Sequence, residues 1–159
     1  MHIPDSVLSP STCAVGFAAM APVWAISARR TRKELGERQA TMLALGAAFC
    51  FTVMLFNVPA PGGTTAHPVA GAMLAILLGP WSAAIGLSVT LAVQALLFGD
   101  GGILAYGVNC FTMAFVLPFV GYGVYALLTA RMTASSPSRA IAAGAAAYVA
   151  LNCAAATAA

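Results

Sequence analysis

The first two residues and one distant histidine are the most chemically specific groups in the sequence. A chain that begins Met1-His2 offers three nitrogens to one metal ion: the free amine of Met1, the deprotonated amide nitrogen of His2 and a ring nitrogen of His2. These nitrogens form fused chelate rings that lie in one plane. A second imidazole, such as that of His67, would complete a square of four nitrogens. That geometry suits Ni(II) or Cu(II), whereas Zn(II) prefers a tetrahedron and Mg(II) or Ca(II) prefer oxygen.

The alternative interpretation of His67 is structural, because a lone histidine near the start of a helical run commonly serves as a hydrogen-bonded cap or interface residue. The chelate also imposes conditions. Met1 must be retained with an unformylated amine, and the bulky second residue disfavours its removal. The N-terminus must fold inward between helices. The apolar side chains available to hold it there are Ile3, Pro4, Val7 and Leu8.

A further set of polar side chains could support the metal site from outside its ligands. Each also has an ordinary structural interpretation: a turn for the aspartate, interhelical hydrogen bonds for the amides and helix caps for the threonines. The supporting candidates are Asn57, Thr64, Thr65, Gln94, Asp100 and Asn109.

The composition indicates which class of protein must position these groups. Of the 159 residues, 61% are hydrophobic and only 7% are charged, against about 25% charged residues in a typical soluble domain. This shortage excludes a water-exposed globule, a disordered chain and a nucleic-acid binder. The net charge of +3 reflects few acidic residues and not a basic patch. The four cysteines show no C-x-x-C spacing and are interpreted as small apolar residues. We therefore predict a membrane protein embedded in the lipid bilayer.

Six apolar runs predict an all-α, polytopic transmembrane helix bundle that forms a single metal-binding domain over residues 1–159. Crossing the hydrocarbon takes about 20 helical residues, and the run at 68–78 is too short to do so comfortably. It is either a tilted short span or a re-entrant segment. The runs cover roughly residues 11–27, 40–58, 68–78, 81–98, 103–130 and 139–159.

Charge distribution predicts the orientation of the bundle. Five basic residues lie in the first connecting segment, at 29–38, which the positive-inside rule places in the cytoplasm. With six spans, the N-terminus, His67 and Asp100 face outside, and all seven basic residues face inside. A re-entrant third run would instead place Arg131 and Arg139 outside, so six spans are favoured. The order of charges is that of an uncleaved segment and not of a signal peptide.

Several longer motifs give the sequence a resemblance to a known family. It resembles the NikM/CbiM family, the substrate-binding S components of energy-coupling factor transporters for nickel and cobalt. The resemblance covers residues 1–125. The motifs are Met1-His2-Ile3-Pro4-Asp5, Leu8-Ser9-Pro10, Thr12-Cys13-Ala14, Phe56-Asn57-Val58-Pro59, Gly63-Thr64-Thr65-Ala66-His67, Leu78-Gly79-Pro80-Trp81, Gln94-Ala95-Leu96-Leu97-Phe98-Gly99-Asp100-Gly101-Gly102-Ile103 and Asn109-Cys110-Phe111-Thr112-Met113-Ala114.

The resemblance implies a function and a set of partners. It implies that Met1, His2 and His67 bind Ni(II) as the transported substrate, from the outer side of a prokaryotic plasma (inner) membrane. The loop that ends in His67 is more similar to the nickel branch than to the cobalt branch. A transmembrane coupling (T) subunit, two ATPase subunits and a small accessory membrane subunit are the implied partners. Family members usually have a seventh helix, so the domain is expected to be incomplete at its C-terminus.

Two alternatives remain open on the sequence. One is the same role for Co(II), in support of cobalamin synthesis. The other is a membrane redox protein that holds copper or haem between its helices. The chain is predicted not to be an enzyme, and it carries no nucleotide-binding glycine loop that could support an ATPase activity of its own.

Overall fold

The computed structural model describes residues 2–34, 36–56, 58–60, 64–133 and 137–158. Its helices are α1 (Pro10–Glu34), α2 (Glu37–Met54), α3 (Gly71–Leu78), α4 (Pro80–Val93), α5 (Tyr106–Cys110), α6 (Leu117–Thr129) and α7 (Ser138–Ala158). A hairpin of two short strands, β1 (Val58–Ala60) and β2 (Thr64–Ala66), lies between α2 and α3. The predicted all-α class is confirmed, and this hairpin is an addition that the apolar pattern did not predict.

Two π-helical segments lengthen the helices on either side of the loop at residues 99–105. The segment Gln94–Phe98 continues α4, and the segment Phe111–Val116 joins α5 to α6. The resulting stretches, Pro80–Phe98 and Tyr106–Thr129, are long and apolar enough to cross a membrane, as are Pro10–Lys33 and Ser138–Thr157. Four of the six predicted spans are therefore helices of sufficient length and hydropathy within the described chain.

The other two predicted spans differ in length. α2 has 18 residues and begins with charged side chains, whereas α3 has only eight residues. Eight helical residues extend about 12 Å, so α3 alone does not match the roughly 30 Å of hydrocarbon. α3 ends at Leu78 and is followed by Gly79, whose φ of +86° is a conformation that side-chain-bearing residues rarely adopt. The crossing of the bilayer by α2 and α3 stays a prediction.

α1 extends beyond its apolar run. The apolar pattern predicts an end near residue 27, but the helix continues through the basic segment to Glu34. Arginine, lysine and glutamate are good helix formers, so loss of hydropathy ends the membrane-facing part without ending the helix. Arg30 lies over the Trp81 ring at the start of α4, with its guanidinium carbon 4.9 Å from the ring centroid.

The core is formed where α4 packs between α1, α2 and α3, with α5 and α6 completing one side and α7 packing on α6. Met20, Leu74, Leu87 and Met113 are almost fully buried at its centre. Many large apolar side chains outside the core are exposed, as a helix bundle surrounded by lipid requires. α1 and α5 approach each other closely, because a Cβ at Gly107 would lie 2.5 Å from the main-chain nitrogen of Phe17.

Candidate metal centre

The N-terminal loop, residues 2–9, is fastened to α5 by the buried side-chain amide of Asn109. Asn109 Oδ1 accepts a hydrogen bond from Ile3 N at 2.9 Å, and Asn109 Nδ2 donates to Ile3 O at 3.1 Å. Gly102 N donates to the same carbonyl at 3.2 Å. Asn109 is 3% exposed, so water does not compete with these bonds. The main chain next to His2 is thereby fixed in position and orientation.

A second fastening comes from Asp5, which the sequence interpretation did not include among the site residues. Its carboxylate accepts hydrogen bonds from Ile103 N at 3.1 Å and from Ala105 N at 2.8 Å. A carboxylate that accepts main-chain N–H groups makes bonds stronger than neutral ones. Of the four expected apolar anchors, Ile3 and Leu8 are half-buried, whereas Pro4 is exposed and Val7 is 69% exposed. The available signal was that Asp5 is an acidic residue in a chain with only four of them.

Two glycines allow the loop at residues 99–105 to approach the N-terminal loop. A Cβ at Gly102 would overlap the Asp5 carboxylate, and a Cβ at Gly101 would lie 3.2 Å from His2 Cβ. Gly101 also has φ of +93°, in the region that favours glycine. Both glycines are therefore required for the N-terminal loop to lie in this position.

We expect Gly102→Ala to release the N-terminal loop. The new methyl group would displace the Asp5 carboxylate and with it two hydrogen bonds, an overpacking that costs about 1–3 kcal/mol. Hydrogen exchange measured by mass spectrometry should show faster exchange at the amide of Ile3, and the melting temperature should fall. Gly123→Ala is the matched control, because a Cβ there meets nothing within 4 Å. Equal protection of the N-terminal loop in both variants would contradict this role for Gly102.

The ring of His2, at the start of the N-terminal loop, stacks on the ring of His67. Their ring centroids are 4.9 Å apart and their planes differ by 21°. The His2 side chain is 5% exposed and His67 is 3% exposed. Two imidazoles on neighbouring corners of a square-planar ion, with bonds of about 2.0 Å, would have centroids about 4.5 Å apart. The observed centroid spacing is close to this value.

The ring nitrogens of this pair are largely free of protein partners. His67 Nδ1, His67 Nε2 and His2 Nε2 are buried and have no hydrogen-bond partner among the described residues. Burial lowers the pKa of His67 to about 4, and burial also lowers the pKa of His2 against the opposing influence of Asp100. The His67 ring is consequently neutral near pH 7. A neutral imidazole is the form that can bind a metal ion.

Asp100 and Gln94 lie at the same site. Asp100 Oδ1 is 3.2 Å from His2 Nδ1, and the Asp100 side chain is 38% exposed. Gln94 is completely buried, and neither terminal atom of its side chain has a partner among the described residues. Asp100 N donates to Gln94 O at 3.1 Å, which links the two residues through the main chain. The structure thus brings together His2, His67, Gln94, Asp100 and Asn109.

For the remaining predicted site residues, the structure does not describe the positions of the side chains. Met1 and Asn57 lie outside the described residues, and for Thr64 and Thr65 only the main chain, in β2, is described. In the described part of the chain, no group of three or more His, Cys, Asp or Glu side chains is arranged to hold a metal.

The chain is similar to proteins that are named for the transport of nickel and cobalt. A family model described as "Cobalt uptake substrate-specific transmembrane region" (CbiM) matches residues 2–159. The "Fused nickel transport protein NikMN" of Rhodobacter capsulatus is 52% identical over 155 residues, which cover 98% of this chain and 45% of that protein. The "Cobalt transport protein CbiM" of Acetohalobium arabaticum is 36% identical over 132 residues, covering 80% of this chain and 52% of that protein. The chain thus spans about half the length of these relatives.

A solved structure extends the similarity to three dimensions. The "Crystal Structure of an Truncated Transition metal Transporter" superposes with a TM-score of 0.91 at 49% identity. The match covers 99% of this chain and 72% of that one. At this identity and coverage, the similarity extends across the described bundle, including the region of the paired histidines.

Proposed function

Because this chain belongs to the CbiM family, the cobalt uptake substrate-specific transmembrane region, we propose that it captures a transition-metal ion for import and that Ni(II) is its preferred substrate. The resemblance expected from the sequence motifs is confirmed by this membership. The observation that carries the proposal is the buried pair of imidazoles, three of whose ring nitrogens lack protein partners among the described residues, directly beside the N-terminus.

The proposed ligands are the amine of Met1, the amide nitrogen of His2, the Nδ1 atom of His2 and one ring nitrogen of His67. Four nitrogens in one plane select for ions that accept a square-planar geometry, which Ni(II) does. The fastening of Ile3 by Asn109 supports this set, because it holds the main chain next to His2 in a single orientation. Selectivity would then come from a prearranged plane and not from charge.

The choice of nickel over cobalt rests on the sequence comparison. The relative named for nickel transport is 52% identical, whereas the relative named for cobalt transport is 36% identical. Co(II) is the alternative substrate within the same role. Metal analysis of the protein purified from cells grown with equal nickel and cobalt distinguishes the two. A preparation containing mainly cobalt would overturn the assignment to nickel.

The proposed orientation places the metal centre at the outer face of the membrane. The basic segment at residues 29–33 lies at the end of α1 opposite to His2, which supports a cytoplasmic location for that end under the positive-inside rule. The metal would enter from outside, near the partly exposed Asp100. Import would then require the proposed partners: a transmembrane coupling (T) subunit, two ATPase subunits and a small accessory membrane subunit.

A membrane redox protein is the rival from a different class. A haem held between helices needs an axial ligand that faces the bundle at mid-membrane depth. Both histidines instead precede helices, His2 before α1 and His67 before α3. An absorption spectrum of the purified protein tests this point directly. We expect no Soret band, and a strong one would rule against metal capture as the function.

A further inference from the structure

Gln94 is a buried polar side chain at the metal centre, and its contacts in the structure do not explain why a polar residue lies there. It is 0% exposed and begins the π-helical segment Gln94–Phe98. Its main-chain oxygen accepts hydrogen bonds from the amides of Gly99 and Asp100. Its side-chain oxygen and nitrogen have no partner among the described residues. A buried amide without partners is unfavourable, so a structural role in this state does not explain its presence.

Most of the other unpartnered atoms belong to the two histidines of the metal centre. Among the described residues, the buried side-chain nitrogens and oxygens without a hydrogen bond belong to His2, His67 and Gln94, and otherwise only to Ser27 in α1. Such groups in native proteins call for a specific explanation, such as an ion that is bound in another state. A metal would use one nitrogen of each imidazole. The second nitrogen of each ring would then carry a proton and need an acceptor.

The stereochemistry of the chelate determines which nitrogen of His2 is left. A histidine that binds through both its own amide nitrogen and its ring closes a six-membered chelate ring only through Nδ1. In the structure, Nδ1 faces Asp100 Oδ1 at 3.2 Å. Metal binding must therefore displace Asp100 from this nitrogen. The ring proton then resides on Nε2, which is buried and has no partner among the described residues.

We propose that Gln94 orients the His2 ring in the metal-loaded protein, by accepting a hydrogen bond from Nε2–H at its side-chain oxygen after the metal has displaced Asp100 from Nδ1. This inference rests on the proposed function. It makes Gln94 a positioning residue that acts on the metal through His2. This hydrogen bond gives a partner both to the buried side-chain oxygen of Gln94 and to the new proton on the His2 ring.

Two independent features support this assignment. Burial lowers the pKa of His2 and the nearby Gln94 side chain raises it, so the two side chains are neighbours although no hydrogen bond joins them in the metal-free protein. The π-helical turn also begins at Gln94. Such turns are rare in helices and occur frequently at functional sites, where they alter the direction of a side chain. Histidines that bind metals generally donate their other ring N–H to a fixed acceptor.

The test compares Ni(II) binding by the full purified chain and by Gln94→Leu, with calorimetry and the visible absorption of the nickel complex as readouts. We expect the affinity of Gln94→Leu to fall about 10- to 100-fold, as is typical when the acceptor of a ligating histidine is lost. Its metal-free melting temperature should stay equal or rise, because leucine removes two unpartnered polar atoms. Gln94→Glu keeps an oxygen acceptor at the same reach and should recover most of the affinity.

Ser27→Ala is the matched control, since it removes the other buried unpartnered group in a helix away from the metal centre, and its nickel affinity should equal that of the wild type. Gln94→Leu with wild-type affinity and an unchanged spectrum would overturn the inference. A fall in the metal-free melting temperature of Gln94→Leu would also overturn it, because it would indicate a structural role for Gln94. A spectrum that changes from five-coordinate to square-planar in Gln94→Leu would show that Gln94 is an axial ligand instead. If the wild type binds no nickel, the proposed function itself is wrong.

Discussion

One extra residue in front of Met1 should lower the affinity for Ni(II) by more than about a thousandfold, which corresponds to about 4 kcal/mol. The extension moves the terminal amine one residue away and replaces it with a peptide nitrogen, so the fused chelate rings cannot form. Both imidazoles and every hydrogen bond of Asp5 and Asn109 stay available. Calorimetric titration should show the loss, and the absorption of the square-planar nickel complex should disappear with it.

The control is a cleavable extension whose removal leaves Met1 as the first residue. Cleavage should restore both the affinity and the spectrum in the same preparation, which separates loss of the chelate from misfolding. An extended chain that binds nickel as tightly as the wild type would show that the terminal amine is not a ligand. The paired imidazoles would then have to bind the metal with other donors.

Replacement of His67 should have the second largest effect on metal binding. We expect His67→Ala to lower the affinity for Ni(II) by about 100-fold or more, equivalent to roughly 3 kcal/mol, because one corner of the square is left to water. The imidazole makes no hydrogen bond to the described residues, so none of them loses a partner when it is removed. The chelate from the first two residues would remain and should still bind nickel weakly.

His67→Phe separates ligation from packing. Phenylalanine fills the buried volume beside His2 without supplying a nitrogen, so its metal-free melting temperature should exceed that of His67→Ala. Both variants should nevertheless show the same weak nickel binding. If His67→Phe bound nickel as tightly as the wild type, His67 would be a packing residue, the structural alternative considered for it from the sequence.

Much of the helix arrangement could be predicted because the signals are local. Apolar runs of sufficient length locate α1, α4, α6 and α7, and Gly79-Pro80 correctly separates α3 from α4. The π-helical segments were not predicted, since a run that is apolar on all sides has no periodicity that distinguishes one helix type from another. The pairing of Val58–Ala60 with Thr64–Ala66 is made by main-chain groups, and the proline- and glycine-rich sequence indicated only that the preceding helix must end.

The candidate site was predictable only in part, for a similar reason. Chelate stereochemistry pointed to His2 and His67 without knowledge of the fold, and that metal assignment remains a prediction. The hydrogen bonds of Asp5 could not be inferred, because its partners Ile103 and Ala105 are 98 and 100 residues away in sequence. Gly102 belongs to a motif that carries the family resemblance, but its role could not be inferred, since that role depends on a carboxylate from the other end of the chain.

The attachment of the N-terminal loop to residues 102–109 has a consequence for biosynthesis. Ile3 and its partner Asn109 are separated by 106 positions. At an elongation rate of about 5–20 residues per second, the first residues of the nascent chain wait about 5–20 seconds before their anchoring partners have been made. The N-terminal loop therefore reaches its place in the bundle only after about two thirds of the chain has been made. Docking of this loop is a late step in the assembly of the protein.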